Sequence, residues 1–341
     1  MTRKSEIGSE FWDVPITDNN TFVFPENTSW FLSGRSALKT IIDEIEGKHT
    51  VAMPSWCCDS MVKPFLEAGF EIHFYPVYFE RGLKQEISLD SDVLFLMSYF
   101  GYTQPALDLS SYKGIVIRDV THSIFSAQYN DAHYYFGSLR KWVGVWTGGY
   151  AWTKDGHELF AGFTAGFGFT ELRQKAMELK SRYIHAQTGT DGIEPTDKSY
   201  LTFFSEAEKQ LEGVGISPAA QRDVDLARRL DVDYIRKRRK DNAEVLRTAF
   251  PEWLIFPEIG NNDCPMFVPV LVPDRKREEL RRYLINNDVY CPVHWPVSNL
   301  HILNERELFI YRNELSLICD QRYTEDDINR MVEIIKTFME A

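Results

Sequence analysis

The chain has too few cysteines, too poorly spaced, to build a disulfide framework or a zinc site: there are five in 341 residues, an odd number with no CxxC pair. Cys57 and Cys58 are adjacent, so on a strand their side chains would point to opposite faces and could not share a metal. No apolar run approaches the ~18 residues of a transmembrane helix. The N-terminal stretch MTRKSEIGSEFWDVP lacks the apolar core of a signal peptide, so the protein is expected in the cytoplasm. Basic residues are the minority, 38 Lys and Arg against 50 Asp and Glu, for a formal net charge of -12. That balance argues against a nucleic-acid groove or an anionic membrane surface as partner, since both need clustered cations. Internal repeats, low-complexity tracts, Gly-rich nucleotide loops and HExxH-type metal motifs are also missing, and no metal is expected. His73, His133 and His185 read as surface or packing histidines.

What is present is an ordinary soluble composition, 44% hydrophobic and 26% charged. The length is enough for two domains, because single cores stop growing near ~250–300 residues. From Thr28 to Glu46 a short aromatic strand gives way to Ser33-Gly34-Arg35-Ser36, after which Ala37, Leu38, Ile41, Ile42 and Ile45 fall at helical spacing. Ser33 at such a point caps the helix. The backbone N–H groups of the helix start, with Ser and Arg side chains beside them, also make a site for a phosphate dianion. Thr50 to Val77 repeats the strand–helix–strand unit, and the alternation runs on through DVLFLMSYF and GIVIRD. This is the pattern of an α/β fold with a mostly parallel sheet and helices on both faces. Ligands of such sheets bind off the carboxyl ends of the strands, which here carry Pro54-Ser55-Trp56, Ser98-Tyr99-Phe100-Gly101 and Asp119.

The most informative stretch is Gly114 to Thr153. It ends an apolar strand on Asp119 and places Lys141 in a turn between two aromatic, β-rich runs, bringing an acid and an amine to one sheet edge. Pyridoxal phosphate chemistry needs such a pair: a lysine that holds the cofactor as a Schiff base and a carboxylate that keeps its pyridine nitrogen protonated. Arg140 beside Lys141 and Trp142 after it are expected to activate the amine by charge and by desolvation. A long helix is expected from Asp223 to Phe250, with the charge run Arg236 to Lys240 as a solvated face.

These residues resemble the DegT/DnrJ/EryC1/StrS aminotransferases. Asp119-Val120-Thr121-His122 is similar to the family's Asp-Ala-Ala-Gln or Asp-Ala-Ala-His motif, and Lys141 followed by Gly148-Gly149-Tyr150-Ala151 is similar to its Schiff-base lysine and Gly-Gly turn. The turn at Ser33 resembles the family's Gly-Thr-Ala-Ala phosphate loop, with Arg35 where threonine is usual. Val293-His294-Trp295-Pro296 with His301, and Leu315-Ser316-Leu317 ahead of Tyr323–Ile328, resemble its two C-terminal motifs, so the likeness covers residues 30–340.

The resemblance implies a fold-type I pyridoxal phosphate transferase, with a mostly parallel seven-stranded large domain flanked by helices and a smaller α+β C-terminal domain. The expected division is an arm over 1–25, a cofactor domain over 26–230 and a small domain over 231–341. It implies an aminotransferase that uses pyridoxal 5'-phosphate and passes an amino group from glutamate or glutamine to a keto-sugar, often nucleotide-linked, in surface polysaccharide or secondary-metabolite biosynthesis. A dehydratase or lyase on a related sugar, or a non-catalytic relative that uses the fold as a binding module, are the alternatives. Lys141, Asp119 and His122 would be catalytic; Gly34, Arg35, Ser36, Trp56 and Ser138 would join them around the cofactor, Trp56 in place of the family's stacking aromatic, which falls at Cys58. His294 and Trp295 would face the substrate. The active unit would be a homodimer, with the loops 160–170 and 186–199 as candidates to cross the interface.

Overall fold

A computed structural model describes residues 6–45, 47–126, 130–159, 168–188 and 197–340. Seven strands form the central sheet: Ser29–Phe31 (β1), Thr50–Pro54 (β2), Glu71–Tyr75 (β3), Val93–Met97 (β4), Ile115–Asp119 (β5), Tyr134–Ser138 (β6) and Gly149–Thr153 (β7). Their order is β1-β7-β6-β5-β4-β2-β3. β2 pairs in parallel with β3 and β4, β4 with β5, and β5 with β6, while β7 runs antiparallel between β6 and β1. The mostly parallel α/β sheet expected from the alternation is therefore present. Its central strands are buried along their whole length, β4 as Val-Leu-Phe-Leu-Met, because helices cover both faces of a parallel sheet.

Helix Gly34–Glu44 (α1) starts directly after β1 and buries Ala37, Leu38, Ile41 and Ile42 against the sheet. Ser33 caps it, its Oγ accepting the Ser36 N–H at 3.2 Å. Helix Asp59–Glu67 (α2) follows β2. Cys58 stands at its N-terminal boundary, so the two adjacent cysteines lie in the strand–helix turn and not on a strand. All five cysteines are free.

Helices Phe169–Thr188 (α3) and Tyr200–Gln210 (α4) pack on each other. The second of these is not anticipated from the sequence, although Tyr200, Phe204, Ala207 and Leu211 are buried at helical spacing. The single helix expected over 223–250 is two, Gln221–Ala227 (α5) and Val232–Ala249 (α6). The break has a local cause: Leu230 forms a β-bridge with Ile16, and the Asp231 side chain caps the new helix by accepting the Tyr234 N–H at 3.0 Å. The charge run is not wholly solvated either. Arg239 is 1% exposed, donating to Gln321 Oε1 and to the carbonyls of Pro265 and Met266.

A second hydrophobic cluster gathers around strands Val268–Leu271 (β8) and Glu314–Leu317 (β9), which pair antiparallel. Helix α6 packs on it with Arg277–Ile285 (α7) and Glu325–Glu340, while Glu305–Asn313 (α8) lies against β8. Ile7, fully buried in this cluster, anchors the N-terminal segment, and Ile7–Gly8 pairs in parallel with Val289–Tyr290. Among the described residues no helix is long and apolar enough to cross a membrane.

Gly149 lets β7 pass the start of α1 at very short range, since a Cβ there would lie 2.1 Å from the Ser33 carbonyl oxygen. Gly149→Ala is thus expected to destabilise the protein by about 1–3 kcal/mol, because backbone and not a flexible side chain has to move. Urea unfolding checks this; an unchanged midpoint would mean the two elements separate freely.

Candidate active site

The carboxyl ends of β2, β4, β5 and β6 lie along one edge of the sheet, which makes that edge the natural place for a ligand. A cleft with a cavity of about 370 Å³ opens there, lined by Gly34 and Arg35 at the α1 start, Asp119, Thr121 and His122 after β5, and Ser138, Arg140 and Lys141 after β6. Glu208 of α4 and the segment Pro292–Trp295 close its other sides.

Asp119 is 2% exposed, and its carboxyl accepts the Thr121 N–H at 2.7 Å. Burial pushes the acid up to about 6, with the Thr121 hydrogen bonds pulling the other way. No cation forms an ion pair with it among the described residues, so the group is set up for a positive partner. His122 is buried with its Nδ1 unpartnered. Burial first, and then the charge of Lys141, push the imidazole down to about 3 and keep it neutral. Its ring lies nearly parallel to that of Trp295, 5.8 Å between centroids at 18°. Ser138 Oγ is likewise buried without a partner.

Lys141 ends a short 3₁₀ turn, Leu139–Lys141, in which Leu139 and then Trp142 point into the core and Lys141 points out into the cleft. Trp142, expected beside the amine, does not line the cleft. The indole is fully buried and donates to the Thr121 carbonyl at 2.6 Å. Arg140 pairs with Glu208 and lies over the Phe169 ring. Burial alone would raise the Glu208 carboxyl, but Arg140, Arg173 and Lys141 together hold it down at about 2.

Trp56 does not reach the cleft. It is fully buried, stacked on Tyr99 at 5.0 Å, and its indole N–H donates to the His294 carbonyl at 2.7 Å. The tryptophan that lines the cleft is Trp295. Ser36 is also turned inward, its hydroxyl 3.3 Å from that of Ser33. The other sequence-predicted residues, Gly34, Arg35, Asp119, His122, Ser138, Lys141, His294 and Trp295, share one wall-to-wall space.

A second cavity of about 270 Å³ continues from Lys141 and His294 between Ser9–Phe11 and the side chains of Arg239, Asp320 and Arg322. Arg322 grips Asp320 through Nε and Nη2 at 2.9 and 2.8 Å and donates to the carbonyls of Glu10 and Ser9, which pins the N-terminal segment over this cavity. Sequence reasoning did not select Glu208, Glu10, Arg239 or Arg322. Only Glu208 carried a local signal, the helical spacing of 200, 204, 207 and 211. Among the described residues no group of three or more His, Cys, Asp or Glu side chains is placed to hold a metal.

Set against known proteins, the chain matches no family model and no curated protein sequence. It does match solved structures over nearly its full length. Helicobacter pylori PseC, an aminotransferase involved in the biosynthesis of pseudoaminic acid, is 14% identical with a TM-score of 0.61, covering 98% of this chain and 100% of that one. NtdA of Bacillus subtilis with bound cofactor PMP is 13% identical with a TM-score of 0.63, covering 92% of this chain and 73% of that one. A DegT DnrJ EryC1 StrS aminotransferase from Brucella abortus is 12% identical with a TM-score of 0.58, covering 92% and 86%. The shared property at these identities is the fold, and it is that of the fold-type I transferases.

The unpaired carboxyl yields a testable sign. The Asp119 pKa is higher in the folded state, about 6 against an ordinary 3.8, so its ionisation opposes folding: nothing is lost below the lower value, and the penalty is complete above the upper one. Asp119→Asn is therefore expected to stabilise the cofactor-free protein by about 3 kcal/mol above pH 7, with the gain vanishing towards pH 4. Denaturant unfolding at the two pH values checks it, and equal effects at both would contradict an uncompensated buried carboxylate.

Proposed function

We propose that the protein is a pyridoxal 5'-phosphate-dependent aminotransferase that takes its amino group from glutamate or glutamine and passes it to a keto-sugar. The observation that carries the reading is the meeting of Lys141, Asp119, His122, Ser138 and the α1 N-terminus in one cleft at the carboxyl edge of the sheet. The residues fit the cofactor chemically. Asp119 offers a buried carboxyl to a protonated pyridine nitrogen, and His122 Nδ1 and Ser138 Oγ are buried polar atoms that lack partners among the described residues. The N–H groups at the start of α1 suit a phosphate, with the Arg35 guanidinium adding charge on the rim. Pyridoxal phosphate, when bound, supplies an electron sink for the pair left at a substrate Cα.

The chain supplies the rest. Lys141 Nζ gives the cofactor its attachment point and afterwards carries the proton to and from the substrate carbon. Its place in the cleft suits both tasks, with Arg140 paired to Glu208 beside it. Asp119, charged once a cation lies against it, holds the pyridine proton. His122 stays neutral beside it, and the Trp295 ring packed on His122 excludes water from that side. The acceptor class is supported by the likeness to a solved putative sugar aminotransferase, Spr1654 of Streptococcus pneumoniae. The active unit is a homodimer in this reading, and Val297 and Ile302, 57% and 90% exposed, are apolar side chains that its interface would cover. The loops expected to cross the interface fall mostly on residues 160–167 and 189–196, outside the described residues.

Protein supplied with pyridoxal 5'-phosphate is expected to absorb in the visible, and borohydride to fix the label on the peptide that contains Lys141; a label on another lysine would sink the assignment. Turnover of glutamate with release of 2-oxoglutarate should fall about 100-fold or more in Asp119→Asn, the scale of a lost general acid–base contribution, while cofactor binding survives. A near-normal rate would remove Asp119 from the mechanism.

A further inference from the structure

Behind His294 lies a short chain of polar atoms that the proposed reaction does not use. His294 Nδ1 is 2.8 Å from Ser316 Oγ, which in turn is 2.6 Å from Glu314 Oε1. The second carboxyl oxygen, Oε2, accepts the backbone N–H of His294 at 2.7 Å. Glu314 and Ser316, both on β9, are fully buried, while His294 is half-buried and lines both cavities beside Lys141. With Nδ1 committed to the serine, Nε2 is the ring nitrogen left for the cleft.

Such a chain has two self-consistent arrangements of its protons. With a charged carboxylate, Ser316 donates to Oε1, His294 Nδ1–H donates to Ser316, and Nε2 is a bare acceptor. With a neutral carboxyl the order reverses. Oε2 already receives an N–H, so the acid proton sits on Oε1 and is donated to Ser316 Oγ. Ser316 donates to Nδ1, and the imidazole then carries its hydrogen on Nε2. The surroundings choose between them. A fully buried carboxyl with no cation bonded to it is neutral at ordinary pH, because the charged form would be stranded without water. The cation whose charge acts on it, Arg277 of α7, donates to the backbone carbonyls of Glu314 and Tyr311 and pairs with Glu278, not with the Glu314 carboxyl.

We infer that Glu314, acting through Ser316, fixes His294 as an N–H donor towards the cleft, so that the site takes a carbonyl or carboxylate oxygen of its substrate at that point. Glu314 and Ser316 are positioning residues in this scheme, and His294 is the specificity-determining one. The substrate half rests on the reading of the cleft as a transaminase site; the proton order does not. Burial pushes the Glu314 carboxyl up to about 8, against the pull of its hydrogen bonds to Ser316 and His294 and of Arg277. Above that pH the chain should reverse and turn His294 into an acceptor. The other charged or titratable groups facing the ring are Lys141 and His122, and burial together with both of these keeps the imidazole itself uncharged.

The test is nitrogen NMR of isotope-labelled histidine in the cofactor-free protein, which reads the tautomer without any turnover. At about pH 7 the His294 hydrogen is expected on Nε2, and at about pH 9 on Nδ1. Glu314→Gln, whose amide N–H₂ replaces the acid proton, should keep Nε2–H at both pH values; Ser316→Ala should abolish the reversal. A hydrogen on Nδ1 at about pH 7, or a wild-type tautomer that never changes, would overturn the proton order. Adding 2-oxoglutarate should shift the wild-type Nε2 signal, which His294→Gln assigns by removing it, with acetate reproducing the shift if the oxygen is a carboxylate and dihydroxyacetone if it is a carbonyl. No shift with any of the three would overturn the substrate half. If Lys141 proved not to carry the cofactor, the tautomer result would still stand or fall by itself.

Discussion

A carboxyl group buried at the end of a parallel strand, with no cation to offset it, is the constraint on which this architecture turns. Asp119 gains one hydrogen bond of note, from Thr121, and is otherwise penalised by burial. A sheet selected for stability alone would not leave such a group there. Its position follows from the pairing of β5 between β4 and β6, three strands so apolar that the ladder cannot slip without exposing them. The same ladder carries Ser138 and, one turn later, Lys141 to the same edge. The electrostatics of the cleft then follow from what surrounds the acid. His122 is neutral by burial, and Glu208 is held charged by Arg140 and its neighbours.

Around this edge the protein spends its polar side chains on fixing backbone. Trp56 and Trp142 each use an indole N–H to hold a carbonyl, of His294 and Thr121, and so set the approach of the C-terminal segment and of the turn after β5. Arg239 ties α6 to Pro265 and Met266, and Arg322 ties the N-terminal segment at Ser9 and Glu10 to Asp320. Each of these contacts gives a donor a carbonyl or carboxylate partner in dry surroundings, where a lost hydrogen bond would be expensive. The walls of the cleft come from parts of the chain hundreds of residues apart, and the contacts that bring them together are single hydrogen bonds of this kind.

That division explains what could be read from the sequence. The alternation of apolar strands and helices is local, and it led to the mostly parallel sheet; the strand ends led to Asp119 and the turn after the next strand to Lys141, because both lie within one short stretch. The single helix expected over 223–250 failed at Leu230, where a bridge to Ile16 depends on residues far off in the chain. Arg239 looked like one charge among five on a solvated face because its partners, Gln321 and the carbonyls of Pro265 and Met266, are invisible to helical periodicity. Two tryptophans were expected at the cleft, Trp56 on the cofactor and Trp295 facing the substrate. Trp295 lines it and Trp56 does not, a matter of side-chain direction at a strand end that residue type cannot decide. Ser316 stood inside a recognisable Leu-Ser-Leu pattern with Glu314 just ahead of it, yet their link to His294 exists only once β9 lies beside residues 292–295.

The central claim is that Asp119 is the counter-charge for a cationic cofactor ring, and infrared difference spectroscopy tests it most directly. In the cofactor-free protein at about pH 5, a carboxylic-acid band that disappears in Asp119→Asn should be present, since the group titrates near 6. Adding pyridoxal 5'-phosphate at the same pH should convert that band to a carboxylate signal, because a cation against the acid favours its charged form. An acid band unchanged by the cofactor, while visible absorbance shows it bound, would contradict the account.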